Sequence, residues 1–314
     1  MPSNAQSSVS VRDLCLRYGR TVAVDGVSFD AGAGEILGIL GSNGAGKTTT
    51  LECILGLRVA DSGSVRVLGE VAGRAGSHRR HFGALLQGAS LQDAVTPRRA
   101  VGLFSSFYGP GQPTGALIDR FGLSSCADRP YAALSAGLRQ RLMLALAFVN
   151  DPPVVVLDEP TTGLDPASRI ELRSLVLESR RVGRAVLLST HDLDEAERVC
   201  DRVAILESGR IAAQGKVGEI IAASGAGSSV EIETERPMAS GELLGLPGAT
   251  QARSSGRGWI LASSEPAATA SAAARLVEHL GRGLVSLRIA RPSLEDAYFK
   301  LTGKPWAGEG GAAR

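Results

Sequence analysis

The run Gly41-Ser42-Asn43-Gly44-Ala45-Gly46-Lys47-Thr48 holds the densest chemistry in the chain. Its glycines let backbone N–H groups turn inward around an anion, and a following helix adds the positive end of its dipole. Lys47 is then placed to reach the outer phosphates of a nucleoside triphosphate. The Thr48 hydroxyl can ligate Mg²⁺, with Thr49 beside it on the first helical turn. Further on, Val154-Val155-Val156-Leu157-Asp158-Glu159-Pro160 is an apolar run ending in two carboxylates. At a strand's C-terminal end Asp158 can hold the metal while Glu159, pointing elsewhere, polarises an attacking water. Alone, that pair is equally a solvated strand end with a proline stop; beside a phosphate loop it reads as the hydrolytic half of one site. Ser135 and Gly137, in Leu134-Ser135-Ala136-Gly137-Leu138-Arg139-Gln140-Arg141, stand at a second helix start. A serine there is ordinarily an N-cap, and a second phosphate-reading end is the alternative.

Such residues need a scaffold that presents strand ends and helix starts together. From Val9 to about Ala213 short apolar runs alternate with helical patterns, as in a sheet with packed helices. Glu35 to Leu40 reads as a buried strand before the glycine-rich turn, and a helix follows from about Gly46 to Leu57. Ser64 to Leu68, Val154 to Leu157 and Ala185 to Ser189 read as strands, with a helix beginning near Gly137 and stopped by Asp151-Pro152-Pro153. Val203 to Leu206 with Glu207-Ser208-Gly209 reads as a hairpin arm and its turn.

Around residues 222–229 the composition shifts to Ala, Gly and Ser without periodicity, which reads as a linker. The expected layout is a first domain over 8–222, a linker over 223–229, a small α+β domain over 230–303 and a disordered tail over 304–314. Strands are expected at Val230 to Glu233, Trp259 to Ala262 and Leu284 to Ile289, with a helix from Pro266 to Leu280. Ser293 has the place of an N-cap, and Leu294, Ala297, Tyr298 and Leu301 make the apolar stripe of a closing helix.

Composition narrows the function classes. In 314 residues, 34 Lys+Arg stand against 32 Asp+Glu, so bulk charge draws the chain to neither nucleic acid nor an anionic membrane. The apolar fraction of 44% suffices for a core. Cys15, Cys53, Cys126 and Cys200 lie far apart with no CxxC pair, which reads as reduced cytosolic thiols rather than disulfides or a zinc ribbon. The first ten residues lack the basic and apolar regions of an export signal, and the apolar runs fall short of the roughly 18 residues that span a bilayer.

The phosphate loop, the LSAGLRQR segment, the VVVLDEP strand, Gly163-Leu164-Asp165-Pro166 and Ser189-Thr190-His191-Asp192 occur in the order found in ABC-type ATP-binding subunits. The chain resembles that family over about residues 8–220. Ala23 to Phe29 and Ser293 to Thr302 resemble boxes of the ABC-2-type, drug-resistance exporter branch. The resemblance implies an α/β fold: a P-loop NTPase ABC-type ATPase domain with a mixed sheet core, an antiparallel β subdomain and a helical subdomain, followed by the small α+β domain.

By that resemblance Tyr18 stacks on adenine, Gln87 links Mg²⁺ and water to a membrane subunit, and His191 contacts the γ-phosphate beside Glu159. Ser135 and Gly137 then face a nucleotide held by a second copy, and Asp165 lies at the dimer seam. Read as sequence alone, Tyr18 is a strand or turn aromatic, Gln87 a polar strand end and His191 a turn residue. The implied protein is an ATPase with ATP and Mg²⁺ as its cofactors. It dimerises with itself and drives an exporter's separate integral membrane subunit from the cytoplasmic face, with no nucleic acid partner. Docking is expected near Gln87 and residues 94–125, where Phe104, Phe107 and Tyr108 otherwise read as helical-subdomain core. The alternative is a soluble ABC-type ATPase, but zinc motifs, coiled-coil insertions and a second cassette are not seen. One departure is Ala136 where the family usually has glycine. A methyl group there could crowd the opposing nucleotide and slow the site.

Overall fold

The computed structural model describes residues 7–73, 76–108, 113–225, 227–255, 258–303 and 306. The chain forms two compact units, divided after Val217. The first is built on two sheets. Strands β1 (Val9–Tyr18) and β2 (Thr21–Ala31) form a hairpin, and after β3 (Ile36–Leu40) and helix α1 (Lys47–Ile54) the chain adds β4 (Ser62–Val67) and β5 (Glu70–Val71). These make an antiparallel sheet of order β2-β1-β4-β5.

The second sheet carries the chemistry. Its strands are β3, β6 (Phe82–Leu85), β7 (Val154–Asp158), β8 (Ala185–Thr190), β9 (Arg202–Glu207) and β10 (Arg210–Lys216), in the order β10-β9-β3-β8-β7-β6. All are parallel except β10, which pairs antiparallel with β9 through the expected tight turn. Strands β3, β7 and β8 are buried along their whole length. Covered on both faces, they read as unbroken apolar runs rather than alternating ones. Leu37, Ile39, Leu51, Val156, Leu187 and Leu206 join Val27 and Phe29 of the antiparallel sheet in one core.

Helices α2 (Pro97–Ser106), α3 (Thr114–Arg120) and α4 (Ala136–Ala147) lie between β6 and β7 in sequence. Thr96 caps α2 and Pro97 occupies its first position, where a missing N–H costs nothing. Val101, Leu117, Ile118, Phe121 and Leu142 are buried here. Phe107 and Tyr108 are not: they are 68% and 46% exposed, so the reading of this aromatic cluster as core is corrected. Only Phe104 is half-buried, edge-on to Phe107 at 6.1 Å. Helices α5 (Pro166–Arg181) and α6 (Leu193–Val199) complete the unit.

The second unit begins within α7 (Val217–Ala223), at Gly218, in a stretch expected to belong to the first domain and the start of the linker. The helix ends at Ser224-Gly225, where Gly225 turns left-handed, and β11 (Ser229–Thr234) begins at once. After β11 come α8 (Ser240–Leu244), β12 (Ala249–Ser255), β13 (Gly258–Ser263), α9 (Pro266–His279) and β14 (Leu284–Ala290). The antiparallel order β12-β13-β11-β14 is the split βαββαβ arrangement. Val230, Ile232, Leu261, Leu243, Ala273 and Val277 fill its core.

Helix α10 (Leu294–Thr302) is capped by Ser293 as expected, with Asp296 closing a reciprocal capping box. Leu294, Ala297 and Tyr298 are buried, whereas Leu301 is exposed. Of the tail 304–314, only Trp306 is among the described residues, and it stands edge-on to Tyr298 at 4.6 Å.

Candidate functional site

The parallel sheet orders its C-terminal ends as β3, β8, β7, β6, and each end delivers a different group. The phosphate loop leaves β3, His191 follows β8, Asp158 and Glu159 end β7, and Gln87 follows β6. Crevices at the carboxyl ends of such strands are where open α/β sheets bind ligands.

The loop is shaped by two close approaches. A Cβ on Gly41 would lie 2.7 Å from both Ala45 Cβ and Leu206 O, so only glycine fits over β9. Gly46 has φ +103°, and a Cβ there would meet Ala23 O at 2.4 Å. Asp25 and Gly209 complete this wall. Gly209 N–H donates to Ala45 O at 3.1 Å, and Asp25 N–H donates to Gly209 O at 2.8 Å. Gly46→Ala is therefore expected to destabilise the chain by about 1–3 kcal/mol, read as a lowered Tm, and to loosen nucleotide binding with it. An unchanged Tm would contradict this packing.

Lys47 is 6% exposed, and its Nζ donates to Gly41 O at 2.8 Å and Ser42 O at 3.3 Å. The same ammonium lies 3.1 Å from Glu159 Oε1. The other oxygen of Glu159, Oε2, is hydrogen-bonded to His191 Nδ1. Glu159 thus stands between a lysine that opens α1 after the phosphate loop and a histidine just past β8. Its backbone is left-handed, φ +51°, a costly conformation held by Glu159 N–H donating to Ser189 O at 3.2 Å and Ser189 Oγ at 2.9 Å.

Asp158 is buried, and its Oδ1 accepts from Ser189 Oγ at 2.5 Å. Its Oδ2 is buried without a hydrogen-bond partner. A buried anionic oxygen with nothing to satisfy it is costly unless a cation or donor arrives, so Asp158 fits a metal ligand. Among the described residues no cluster of three or more His, Cys, Asp and Glu could hold a metal on its own. The ion would complete its shell from Thr48 and the phosphates it accompanies. Gln87 is exposed just past β6, next to the strand that ends in Asp158. Ser42, Thr48 and Thr49 are half-buried, and Asn43 and Gly44 are exposed.

Tyr18 ends β1 in the hairpin whose Ala23 abuts Gly46, and Arg58 covers one face of its ring at 5.5 Å. Ser135 caps α4, accepting from Leu138 N–H at 3.3 Å. Asp165 caps α5 through the N–H groups of Ala167 and Ser168, both at 3.0 Å. The Ser168 hydroxyl, at 2.7 Å, and these N–H groups hold the Asp165 carboxyl below its ordinary range. A Cβ on Gly137 would lie 2.9 Å from Ser168 Oγ and 3.7 Å from Asp165 Oδ2, so these two segments are neighbours within one chain. Ala136 is the first residue of α4, is exposed and lies outside the left-handed region, so its methyl group costs the backbone nothing. A cavity of about 390 Å³ between α3, α4 and α5 is lined by Phe121, Leu144, Leu164 and Leu175. Lys47, Asp158, Glu159 and His191 are not among its walls.

Several residues that position the site were not singled out in the sequence. Gln140 Nε2 donates to Pro160 O at 2.6 Å, and Glu195 takes the hydroxyls of Thr161 and Thr190. Ser189 was visible only as a letter of its motif. Glu195 carried one signal, its place three residues after the N-cap Asp192.

The fold and site are those of a P-loop cassette. The profile of the family described as ABC transporter matches residues 24–162. A Ralstonia nicotianae protein named Nod factor export ATP-binding protein I is 37% identical over 308 residues, covering 94% of each chain. Its namesake from Burkholderia orbicola is 38% identical over 309 residues, covering 94% of this chain and 97% of that one. A solved ATP-binding subunit of an ABC transporter superposes with TM-score 0.64 at 32% identity, over 70% of this chain and 94% of that one. A dimeric bacterial ABC transporter cassette shares the fold, with TM-score 0.61 at 24% identity over 66% of this chain and 98% of that one. The chain belongs to the ABC transporter family, as one of its ATP-binding subunits. It is an ATPase of the ABC type, whose hydrolysis is coupled to transport.

Proposed function

We propose that two copies of the chain close on two MgATP and, from the cytoplasmic face, drive export through a separate integral membrane subunit. The observation that carries the hydrolytic part is the Glu159 carboxylate held between Lys47 and His191, next to the unsatisfied oxygen of Asp158. Lys47 and the loop N–H groups bind the β- and γ-phosphates. Thr48, Asp158 and Gln87 would hold Mg²⁺, which would supply charge neutralisation on the phosphate oxygens. Glu159 accepts a proton from water as the water oxygen bonds to γ-phosphorus and the bond to the ADP oxygen breaks. His191 holds Glu159 Oε2 and contacts the γ-phosphate. Tyr18 carries the adenine, while Ser135, Gly137 and Asp165 meet the nucleotide of the second copy. Phosphates between the two helix starts replace repulsion of like partial charges with attraction, so ATP closes the pair and hydrolysis lets it part.

Among the described residues no helix is long and apolar enough to cross a membrane, and the proposed pore is another chain. The curated relatives are named for Nod factor export. By likeness the direction proposed here is outward, with cargo selection assigned to the membrane subunit. Leu103 on α2 and Phe107 and Tyr108 just past its end are exposed apolar residues, which suits docking to that subunit. Copurification from detergent-solubilised membranes is expected to bring an integral membrane protein with the chain. The pair Phe107→Glu and Tyr108→Glu should cut its recovery at least about tenfold. Recovery of the chain alone, with turnover indifferent to membranes, would favour an ATPase without a membrane partner.

A further inference from the structure

Glu195 is a carboxylate that no step above employs. It lies in the first turn of α6, and its N–H donates to Asp192 Oδ1, the N-cap, at 2.9 Å. Its Oε2 accepts from Thr161 Oγ1 at 2.8 Å and, more distantly, from Thr190 Oγ1 at 3.5 Å. Those hydroxyls come from two different strand ends. Thr161 follows Glu159 by two residues, and Thr190 immediately precedes His191. Both threonines are buried.

The turn around His191 is closed by the same group of side chains. Asp192 N–H donates to Thr190 Oγ1 at 2.9 Å, so that hydroxyl accepts from one side of His191 while donating to Glu195. Arg169 of α5 lies 3.8 Å from Asp192 Oδ2 and donates to Leu164 O at 3.2 Å, which ties the turn to the segment before Asp165. Burial pushes the Glu195 carboxyl above its ordinary range, with the neighbouring Asp192 adding to the rise. The Thr161 and Thr190 hydroxyls and Arg169 offset part of that cost.

Ser189 fixes the backbone of Glu159 on its amino side. On its carboxyl side the pinned points are Pro160 O, held by Gln140, and the Thr161 hydroxyl, held by Glu195. Glu159 has a left-handed backbone, which is retained only where its surroundings over-determine it. Its contact with His191 joins the segments that follow β7 and β8, and a misplacement of about 1 Å can cost about a hundredfold in rate.

We propose that Glu195 is a positioning residue for hydrolysis: by holding Thr161 and Thr190 on one oxygen it sets the separation of the Glu159 carboxylate and the His191 ring. The inference rests on the hydrolytic reading above and deepens it. Steady-state ATP hydrolysis by the full chain tests it. Glu195→Ala is expected to lower kcat about tenfold to a hundredfold. KM for MgATP should stay within about twofold, because the phosphate loop is untouched. Glu195→Gln keeps an acceptor oxygen and should hold kcat within about threefold of wild type. Thr161→Val removes one donor at nearly constant volume and should lower kcat in the same sense; combined with Glu195→Ala it should add little. Wild-type kcat in Glu195→Ala, a KM that rises in step with the fall in kcat, or a Gln variant as slow as the Ala variant overturns the inference. Glu159→Gln measured alongside separates the two readings. If it turns over ATP normally the hydrolytic reading itself fails, whereas a dead Glu159→Gln beside a normal Glu195→Ala removes only the strap.

Discussion

Glu159→Gln is expected to lower ATP turnover by at least about a thousandfold while MgATP binding becomes tighter. The substitution keeps shape and removes only the proton acceptor, so the loss falls on the chemical step. The gain in affinity has its own cause. Glu159 Oε1 lies 3.1 Å from Lys47 Nζ, so an incoming γ-phosphate competes with that carboxylate for the same ammonium. A neutral amide competes far less, and the lysine charge is left for the phosphate. Size-exclusion chromatography with MgATP should then show dimers that outlast those of the wild type. Rapid phosphate release by this variant would remove Glu159 from the reaction.

Lys47→Ala should abolish nucleotide retention, weakening MgATP binding by at least about a hundredfold. It also removes one partner of an ion pair whose side chains are 6% and 4% exposed. Breaking such a pair from one side leaves an uncompensated buried charge, with a stability cost of about 3 kcal/mol. Lost binding could therefore be confused with lost folding, and the double variant Lys47→Ala/Glu159→Gln separates them. It should recover most of the lost Tm, because no lone charge remains, yet still fail to retain nucleotide. Equilibrium binding of a fluorescent ATP analogue and thermal unfolding report the two quantities independently. A double variant that regained binding would mean the lysine serves the fold and not the phosphate.

What could be read in advance was whatever is local along the chain. The phosphate loop is eight consecutive residues, and its conformation follows from glycines and a helix start that are neighbours in sequence. Strands β7 and β8 were legible because strands covered on both faces are written as unbroken apolar runs. Strand β12, Ala249–Ser255, was missed because its residues are mostly polar and its face lies half open. Helix α8, of five residues, is too short to show a period. The aromatic group at the end of α2 was misjudged for the opposite reason. Its spacing is that of a buried helix face, but Phe107 ends beyond the last turn and points outward. In the site, the partners that hold Glu159 are Ser189, thirty residues on, and Lys47, at the start of α1. No spacing rule ties a carboxylate to groups that only strand order brings beside it. Beyond its place after the N-cap Asp192, Glu195 gave no sign of its part for the same reason, since that part depends on two hydroxyls that meet only after β7 and β8 have paired.

The guanidinium lying over Tyr18 has a bearing on selectivity. With Arg58 on one side of the ring, a base stacked on Tyr18 as proposed would have a single surface to rest on, and the cation draws electron density away from it. Stacking of that kind senses the breadth of a heterocycle and ignores the amino or oxo groups along its rim. A purine held this way is recognised as a slab, so telling adenosine from guanosine triphosphate would need contacts that Tyr18 does not make. If the base rests there as proposed, the cassette would count phosphates more strictly than it names bases.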